Sequence, residues 1–215
     1  MGSTRLPGKI LQPIGQRLLL EHILFSLSRL RHPATIVIAT SDHPRDDVVE
    51  AFCGKLGVAC FRGSEPDVLG RYYHCAKQWQ FSQIVRLTAD NPFMDVEELD
   101  RLLDLHLRMG SDFSHSFGTL PIGVGAEVFT FEALKASFLE GHAPHHREHV
   151  DEFLLENPER FKTSVLTVAA AKNRPNVRLT VDTEEDYHRA CFIVEHAKTD
   201  PIDTEEAIEL CLRYA

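Results

Sequence analysis

The chain has 215 residues, enough for one ordinary domain that buries a single core without metals or disulfides. Lys and Arg total 23 against 32 Asp and Glu, a net charge of -9, which argues against a nucleic acid or an anionic membrane surface as partner, since both require concentrated positive charge. The five Cys (Cys53, Cys60, Cys75, Cys191, Cys211) are odd in number and never in CxxC spacing, so they read as reduced, mostly buried residues rather than a disulfide framework or a zinc ribbon.

The first stretch, MGSTRLPGKIL, packs two Gly, two hydroxyl residues, an Arg, a Pro and a Lys into nine positions, which is loop chemistry. A Walker-type phosphate loop is ruled out, because five residues rather than four separate Gly2 from Gly8, and Ile10 follows Lys9 where Ser or Thr belongs. What survives is a Gly/Ser/Thr turn able to offer backbone N–H groups to phosphate, with Arg5 and Lys9 as fixed cations. Leu18, Ile23, Leu24, Leu27 and Leu30 then recur at helical spacing. TIVIAT predicts a strand, followed by a helix that Pro44 starts and Gly57 stops. VACFRG and SQIVRLTAD repeat the strand pattern, with helices expected over 72–79 and 96–109.

Apolar strands alternating with helices predict an α/β fold, a mostly parallel sheet with helices on both faces. From Ser111 the rhythm changes, and SDFSHSFGTLPIGVGAEVFTF suits antiparallel strands or a mobile flap. FKTSVLTVAAA and NVRLTVDT read as further strands, and helices over 184–198 and 204–214 close the chain. No repeat or linker divides it, so residues 1–215 form a single domain with an insertion near 111–131.

Two carboxylates stand at predicted strand ends, where open α/β sheets bind ligands: Asp90 of LTADNPF and Asp182 of LTVDTEED. Each has a plainer reading, Asp90 as a turn residue and Asp182 as part of a helix cap. Together with the cationic loop they make the set that a metal-triphosphate site requires, since hard Mg²⁺ takes one or two carboxylates plus phosphate oxygens. In PHHREHV, His145, His146 and His149 fall at helical spacing, but no Cys lies nearby and HExxH is absent, so zinc is the weaker reading.

MGSTRLPGKIL, RGSEPDVLGRY, VRLTADNPF, REHV and LTVDTEEDY, in this order, resemble the spore-coat-polysaccharide-type cytidylyltransferases, part of the sugar-acid group that includes the deoxy-octulosonate and acylneuraminate enzymes. The resemblance covers nearly the whole chain. It implies a GT-A-like (Rossmann-like) nucleotidyltransferase fold and transfer of CMP from CTP to a sugar or sugar acid with release of pyrophosphate. It implies further that Arg5 and Lys9 hold the triphosphate, that Gly2 and Ser3 bring backbone close to it, and that Asp90 and Asp182 bind Mg²⁺. Arg62, Asp67 and Arg71 would stand beside the nucleotide, without base, ribose and phosphate being divided among them. Arg86 shares a strand face with Thr88 and Asp90 by the period of two and would face the base. Glu127, Arg147, Glu148 and His149 would face the acceptor sugar.

Family members carry a short apolar strand and an Arg ahead of the opening loop. The resemblance therefore leads one to expect that the usual first strand is missing and that Met1 is an internal start. It also implies a homodimer with 111–131 as interface or flap. No apolar run approaches the ~18 residues of a membrane span, and no charged start precedes an apolar h-region, which gives a cytoplasmic expectation. Two alternatives remain: a GT-A-type glycosyltransferase, although no DxD metal motif occurs, and an inactive nucleotide-binding remnant.

Overall fold

The structure is a computed structural model that describes residues 1–3 and 5–214. The opening loop ends in a 3-10 turn, Lys9–Leu11, entered by Gly8 at φ 72°, a left-handed conformation that favours glycine. A short antiparallel pair, β1 (Pro13–Ile14) and β2 (Arg17–Leu18), leads into α1 (Leu19–Leu27), where the Glu21 carboxylate accepts the Leu18 N–H at 2.7 Å and so caps the helix. β3 (Val37–Ser41) follows, then a 3-10 turn at Pro44–Asp46, α2 (Asp47–Leu56) closed by Gly57 in the left-handed region, and β4 (Ala59–Gly63). Pro44 and Gly57 thus act as the sequence predicts.

α3 (Val68–Gln78) starts on Asp67, whose carboxylate accepts the Gly70 N–H at 2.8 Å. β5 (Gln83–Arg86) leads through a turn into α4 (Val96–Met109), capped by Asp95 and ended by Gly110. The order continues with β6 (Phe113–His115), β7 (Glu127–Thr130), α5 (Phe131–Glu140), α6 (Pro144–Glu148), α7 (Glu152–Leu155), β8 (Thr163–Val165), α8 (Glu184–His196) and α9 (Thr204–Tyr214).

β3 and β4 pair in parallel, Val37 opposite Ala59 through Ser41 opposite Gly63. A second, four-stranded sheet has the order β5-β7-β6-β8, and among the described residues no strand ladder joins the two. β6 and β8 are parallel, whereas β7 runs antiparallel to both β5 and β6. The stretch 111–131 therefore supplies two antiparallel strands, because the link from β6 to β7 carries no helix with which to cross over.

Period-two alternation sends side chains to two cores. Val85 and Val128 face a core built with Leu19, Leu99, Leu102, Val181 and Ile193, while Ile84 and Phe129 face one built with Leu69, Phe113, Leu134 and Leu154. Helices thus cover both faces, as α/β patterning demands. Cys53, Cys75 and Cys211 are buried, Cys60 and Cys191 half-buried, and all five are free thiols. No helix is long and apolar enough to cross a membrane.

One expected strand does not form. NVRLTVDT makes a bridge from Arg178 to Ile122 and scattered backbone bonds: the Ile122 N–H to the Val177 carbonyl at 2.9 Å, the Leu179 N–H to the Ile122 carbonyl at 2.8 Å and the Val181 N–H to the Asp90 carbonyl at 2.9 Å. Its neighbours are themselves loop residues, so no ladder can propagate. The last of those bonds has a large consequence for the site.

Candidate active site

The chain leaves β5 at Arg86 and turns at once, with the Asn91 N–H on the Thr88 carbonyl at 3.3 Å and the Asn91 amide on the Thr88 hydroxyl at 2.6 Å. This turn holds Asp90 beyond the strand end. The Val181 N–H bond to the Asp90 carbonyl then ties the two aspartate segments together across about ninety positions of sequence, and Asp182 follows directly.

Asp182 is fixed from its other side by the cap of α8. Thr183 Oγ1 accepts the Asp186 N–H at 3.2 Å, and the Asp186 carboxylate accepts the backbone N–H groups of Asp182 at 3.1 Å and Thr183 at 3.0 Å. This is a reciprocal capping box with Asp at the third helical position. Arg178 bonds to both Asp182 Oδ2 and Asp186. Burial opposes ionisation of Asp182, but Lys9 and Arg178 outweigh it and hold the carboxyl below its ordinary range.

Lys9 completes the arrangement. Its ammonium donates to Asp90 Oδ2, Asp182 Oδ1 and the Val181 carbonyl, each at 2.8 Å. The side chain is only 11% exposed. All three N–H bonds of the ammonium are used. Arg5 Nη2 lies 3.6 Å from the same Asp182 oxygen, with the rest of its side chain in solvent. Lys9, Asp90, Asp182 and Arg5 thus meet in one place. The donor set, two carboxylates and a carbonyl around a cation, is the hard-oxygen set that Mg²⁺ takes, so the residues fit that metal.

The other expected nucleotide residues divide into two groups. Gly2 sits against Arg45 and Glu65, so closely that a Cβ would stand 2.7 Å from the Arg45 guanidinium. The Met1 ammonium bonds to Asp46 at 2.9 Å, and Ser3 Oγ accepts the Leu6 N–H at 3.2 Å. These contacts shape the loop rather than leave it free. Arg62 spends its guanidinium on Asp47, Glu50 and the carbonyls of Ser41 and His43, an anchor between the end of β3 and α2. Arg71 donates to the Ser64 carbonyl at 2.8 Å, while its buried Nε has no partner among the described residues. The Arg62 guanidinium is thus engaged by β3 and α2 in the nucleotide-free chain.

Arg86, expected at the base, pairs with Glu127, expected at the acceptor sugar, directly across β5 and β7. Glu127 is 1% exposed, and burial pushes its carboxyl up to about 7, with Arg86 opposing and the neighbouring Asp151 reinforcing the shift. Arg86 is thus committed to a carboxylate, and the pair, rather than a free guanidinium, is what the strand ends present. Arg147 lies over the Phe138 ring and 3.7 Å from Asp67, lining an open groove of about 550 Å³ with Pro66 and Pro144. The groove brings together one residue expected at the nucleotide and one expected at the sugar. Glu148 and His149 are exposed at the end of α6.

The histidines of PHHREHV separate. His145 and His146 bond through Nε2 to the two oxygens of Glu156, at 2.8 and 2.7 Å, and His149 is not among them. His146 Nδ1 accepts the Ala143 N–H at 3.3 Å, which puts the ring proton of the neutral imidazole on Nε2, facing Glu156. That proton makes the trio a hydrogen-bonded clasp between α6 and the end of α7.

The family profile described as Cytidylyltransferase matches residues 1–213. The chain belongs to the cytidylyltransferase family. This cytidylyltransferase is 36% identical to the spore coat polysaccharide biosynthesis protein SpsF of Bacillus subtilis strain 168, over 99% of this chain and 91% of that protein. It superimposes on the structure of a cytidylyltransferase from Leptospira borgpetersenii serovar Hardjo-bovis with TM-score 0.91 and 32% identity, covering 100% of this chain and 91% of that one. A CMP:2-keto-3-deoxy-manno-octonic acid synthetase complexed with CTP shares the fold, with TM-score 0.64 at 15% identity over 90% of this chain and 94% of that one.

The cytidylyltransferase also contains residues that sequence reasoning passes over. Arg178 stands four positions before Asp182 and eight before Asp186, and that spacing is the available signal for its double ion pair. Asp151 and Glu156 give none, because their partners, Glu127 of β7 for the first and His145 with His146 of α6 for the second, are brought to them only by tertiary packing.

Proposed function

We propose that the chain transfers CMP from CTP to a sugar or sugar acid, releasing pyrophosphate, in the synthesis of a surface polysaccharide, with Mg²⁺ as its metal. The observation that carries this reading is the convergence of Lys9, Asp90 and Asp182, three contacts of 2.8 Å counting the Val181 carbonyl, at the ends of two segments that the sequence places far apart. The names of the relatives support the choice of nucleotide and of pathway.

The reaction asks little covalent chemistry of the protein. A sugar hydroxyl loses its proton to solvent as its oxygen forms a bond to the α-phosphorus, the bond from that phosphorus to the bridging oxygen breaks, and pyrophosphate departs with the electron pair. Positioning in line and neutralising the leaving charge supply most of the rate. Lys9 and Arg5 would hold the phosphates, and Asp90 and Asp182 would hold the metal, which when bound neutralises triphosphate charge. The groove between Asp67 and Arg147 would take the acceptor.

The reading includes a cytoplasmic location and a homodimer through 111–131, a region that exposes Phe117 and Ile122. Pyrophosphate release assayed with each of the four nucleoside triphosphates, against a panel of neutral sugars and sugar acids, tests the activity. Release with CTP, dependent on one acceptor class and abolished by EDTA, is the expected result. Release with another nucleotide, transfer of a glycosyl group instead, or no release with any acceptor would overturn it.

A further inference from the structure

The ammonium of Lys9 is held by the same oxygens that would bind a divalent ion. Asp90 Oδ2, Asp182 Oδ1 and the Val181 carbonyl lie at equal distance from Nζ, one for each N–H, and the side chain is nearly out of solvent. Two carboxylates this close repel each other unless a cation stands between them. The other oxygen of Asp182 is occupied by Arg178, which keeps that carboxylate oriented toward the cage. A cation between the two carboxylates relieves that repulsion, and in the nucleotide-free chain Lys9 supplies it.

We infer that Lys9 is a placeholder cation: it fills the Asp90–Val181–Asp182 cage in the nucleotide-free protein, and a divalent ion enters only when Lys9 leaves. The inference rests on the proposed use of a nucleotide and a metal, and it adds an order of events. A hexahydrated divalent ion arriving alone must expel a fully hydrogen-bonded ammonium, shed part of its own hydration and leave Lys9 without partners. A nucleotide changes this balance because its phosphates offer the ammonium new acceptors. Lys9 then moves a few ångströms from carboxylate to phosphate, and the cage is released at the moment when phosphate oxygens are present to complete the metal's coordination. Arg178 stays on Asp182 Oδ2 throughout and keeps the carboxylate oriented, so that only Oδ1 changes its partner. Arg5, exposed and 3.6 Å from the same oxygen, is placed to follow the phosphates with Lys9.

The ordering protects the site from an unproductive metal complex and couples metal entry to the arrival of the triphosphate. It also predicts a paradox in a variant: removing a phosphate-binding Lys should improve metal binding. Lys9→Met keeps the length of the side chain and removes its charge, leaving the two carboxylates without the ammonium that bridges them.

The test uses the full chain freed of metal and titrates Mn²⁺ as the probe, without nucleotide, followed by the electron paramagnetic resonance signal of free Mn²⁺. The wild type should bind Mn²⁺ weakly. Lys9→Met should bind it at least tenfold more tightly, and Lys9→Arg, which keeps a cation, should bind no more tightly than the wild type. Adding Asp182→Asn to Lys9→Met should return the affinity to the wild-type level, which shows that the gain arises in this cage. Equal Mn²⁺ affinity of wild type and Lys9→Met, with both folded by circular dichroism, would overturn the inference, as would tighter binding by Lys9→Arg. A separate calorimetric titration of the metal-free wild type with CTP tests the nucleotide reading by itself. Absence of CTP binding would remove that reading while leaving the Mn²⁺ result to decide the cage.

Discussion

At the scale of single residues, charge placement decides what each group can do. Asp90 and Asp182 share Lys9, so replacing either by Asn keeps the shape of the side chain and removes half of the anionic cage. Loss of one preorganised electrostatic group costs about 3 to 4 kcal/mol of transition-state stabilisation. Asp90→Asn should therefore lower kcat by roughly 10² to 10³ with little change in the far-ultraviolet spectrum or the melting temperature, and wild-type turnover in that variant would remove Asp90 from the site. Glu127 makes a different prediction. Its carboxyl titrates near 7 in the folded protein, because burial and Asp151 favour the neutral form more strongly than Arg86 opposes it. The folded state then holds a proton that the unfolded chain releases near pH 4, so this group's contribution to stability is present at low pH and declines as pH rises through the interval up to about 7. The loss is on the order of 3 kcal/mol, since each tenfold difference in proton affinity between the folded and unfolded chain is worth ~1.4 kcal/mol. Glu127→Gln should flatten the fall in urea-denaturation stability between about pH 4 and 7, and a variant whose slope matches the wild type would show that Glu127 does not carry it.

At the scale of elements, legibility follows the locality of the signal. α4 is readable in full from its apolar stripe, and its terminal residues, Asp95 and Gly110, act within one turn of the helix they bound. NVRLTVDT reads as a strand because its alternation is real, with Val177, Leu179 and Val181 in the core, while the ladder that would make it a strand depends on what lies beside it, and loops at Ile122 and Asp90 lie beside it. The partners of Arg62 are illegible for a related reason: a sequence shows that a cation exists but not that Asp47 and Glu50, one turn apart on α2, pair with it. Asp182 is legible, since a strand-like run, an Asp and a Thr-x-x-Asp cap is a pattern within ten residues. That cap belongs to α8 and also aims the carboxylate. Thr183→Ala removes the hydroxyl that accepts the Asp186 N–H, a loss of about 1 kcal/mol for an N-cap, and should also lower turnover by loosening Asp182. Thr183→Ser keeps the hydroxyl and should recover both in a urea melt and a rate assay. Stability recovered without turnover would separate the cap from the aim.

At the scale of the whole molecule, the interrupted sheet is the feature that local reasoning could least anticipate. Alternating strands and helices announce an α/β domain, but strand order is a property of the folded ensemble of elements, and here β3–β4 and β5-β7-β6-β8 form separate ladders. What links them is side-chain packing and single bonds. Ile38 of β3 packs on the core that also receives Val85 and Leu87, and the Tyr72 hydroxyl of α3 donates to the Leu87 carbonyl at 3.2 Å. β7 is different in kind, because it has a partner on each side, β5 and β6, and Val128 and Phe129 are fully buried on its two faces. Each amide of β7 is thus either bonded within the sheet or enclosed by it, whereas the amides of β3 that point away from β4 have no strand to receive them among the described residues. Opening free energies in one protein run from near zero up to the global stability, and ~1.4 kcal/mol is a factor of ten in rate. Hydrogen exchange followed by mass spectrometry should therefore show peptides over 37–41 exchanging at least about tenfold faster than those over 127–130, with the difference persisting in conditions where the whole chain stays folded. Equal protection of the two would mean that the free edge of β3 is covered as completely as the centre of the larger sheet, and that the two ladders open as one unit.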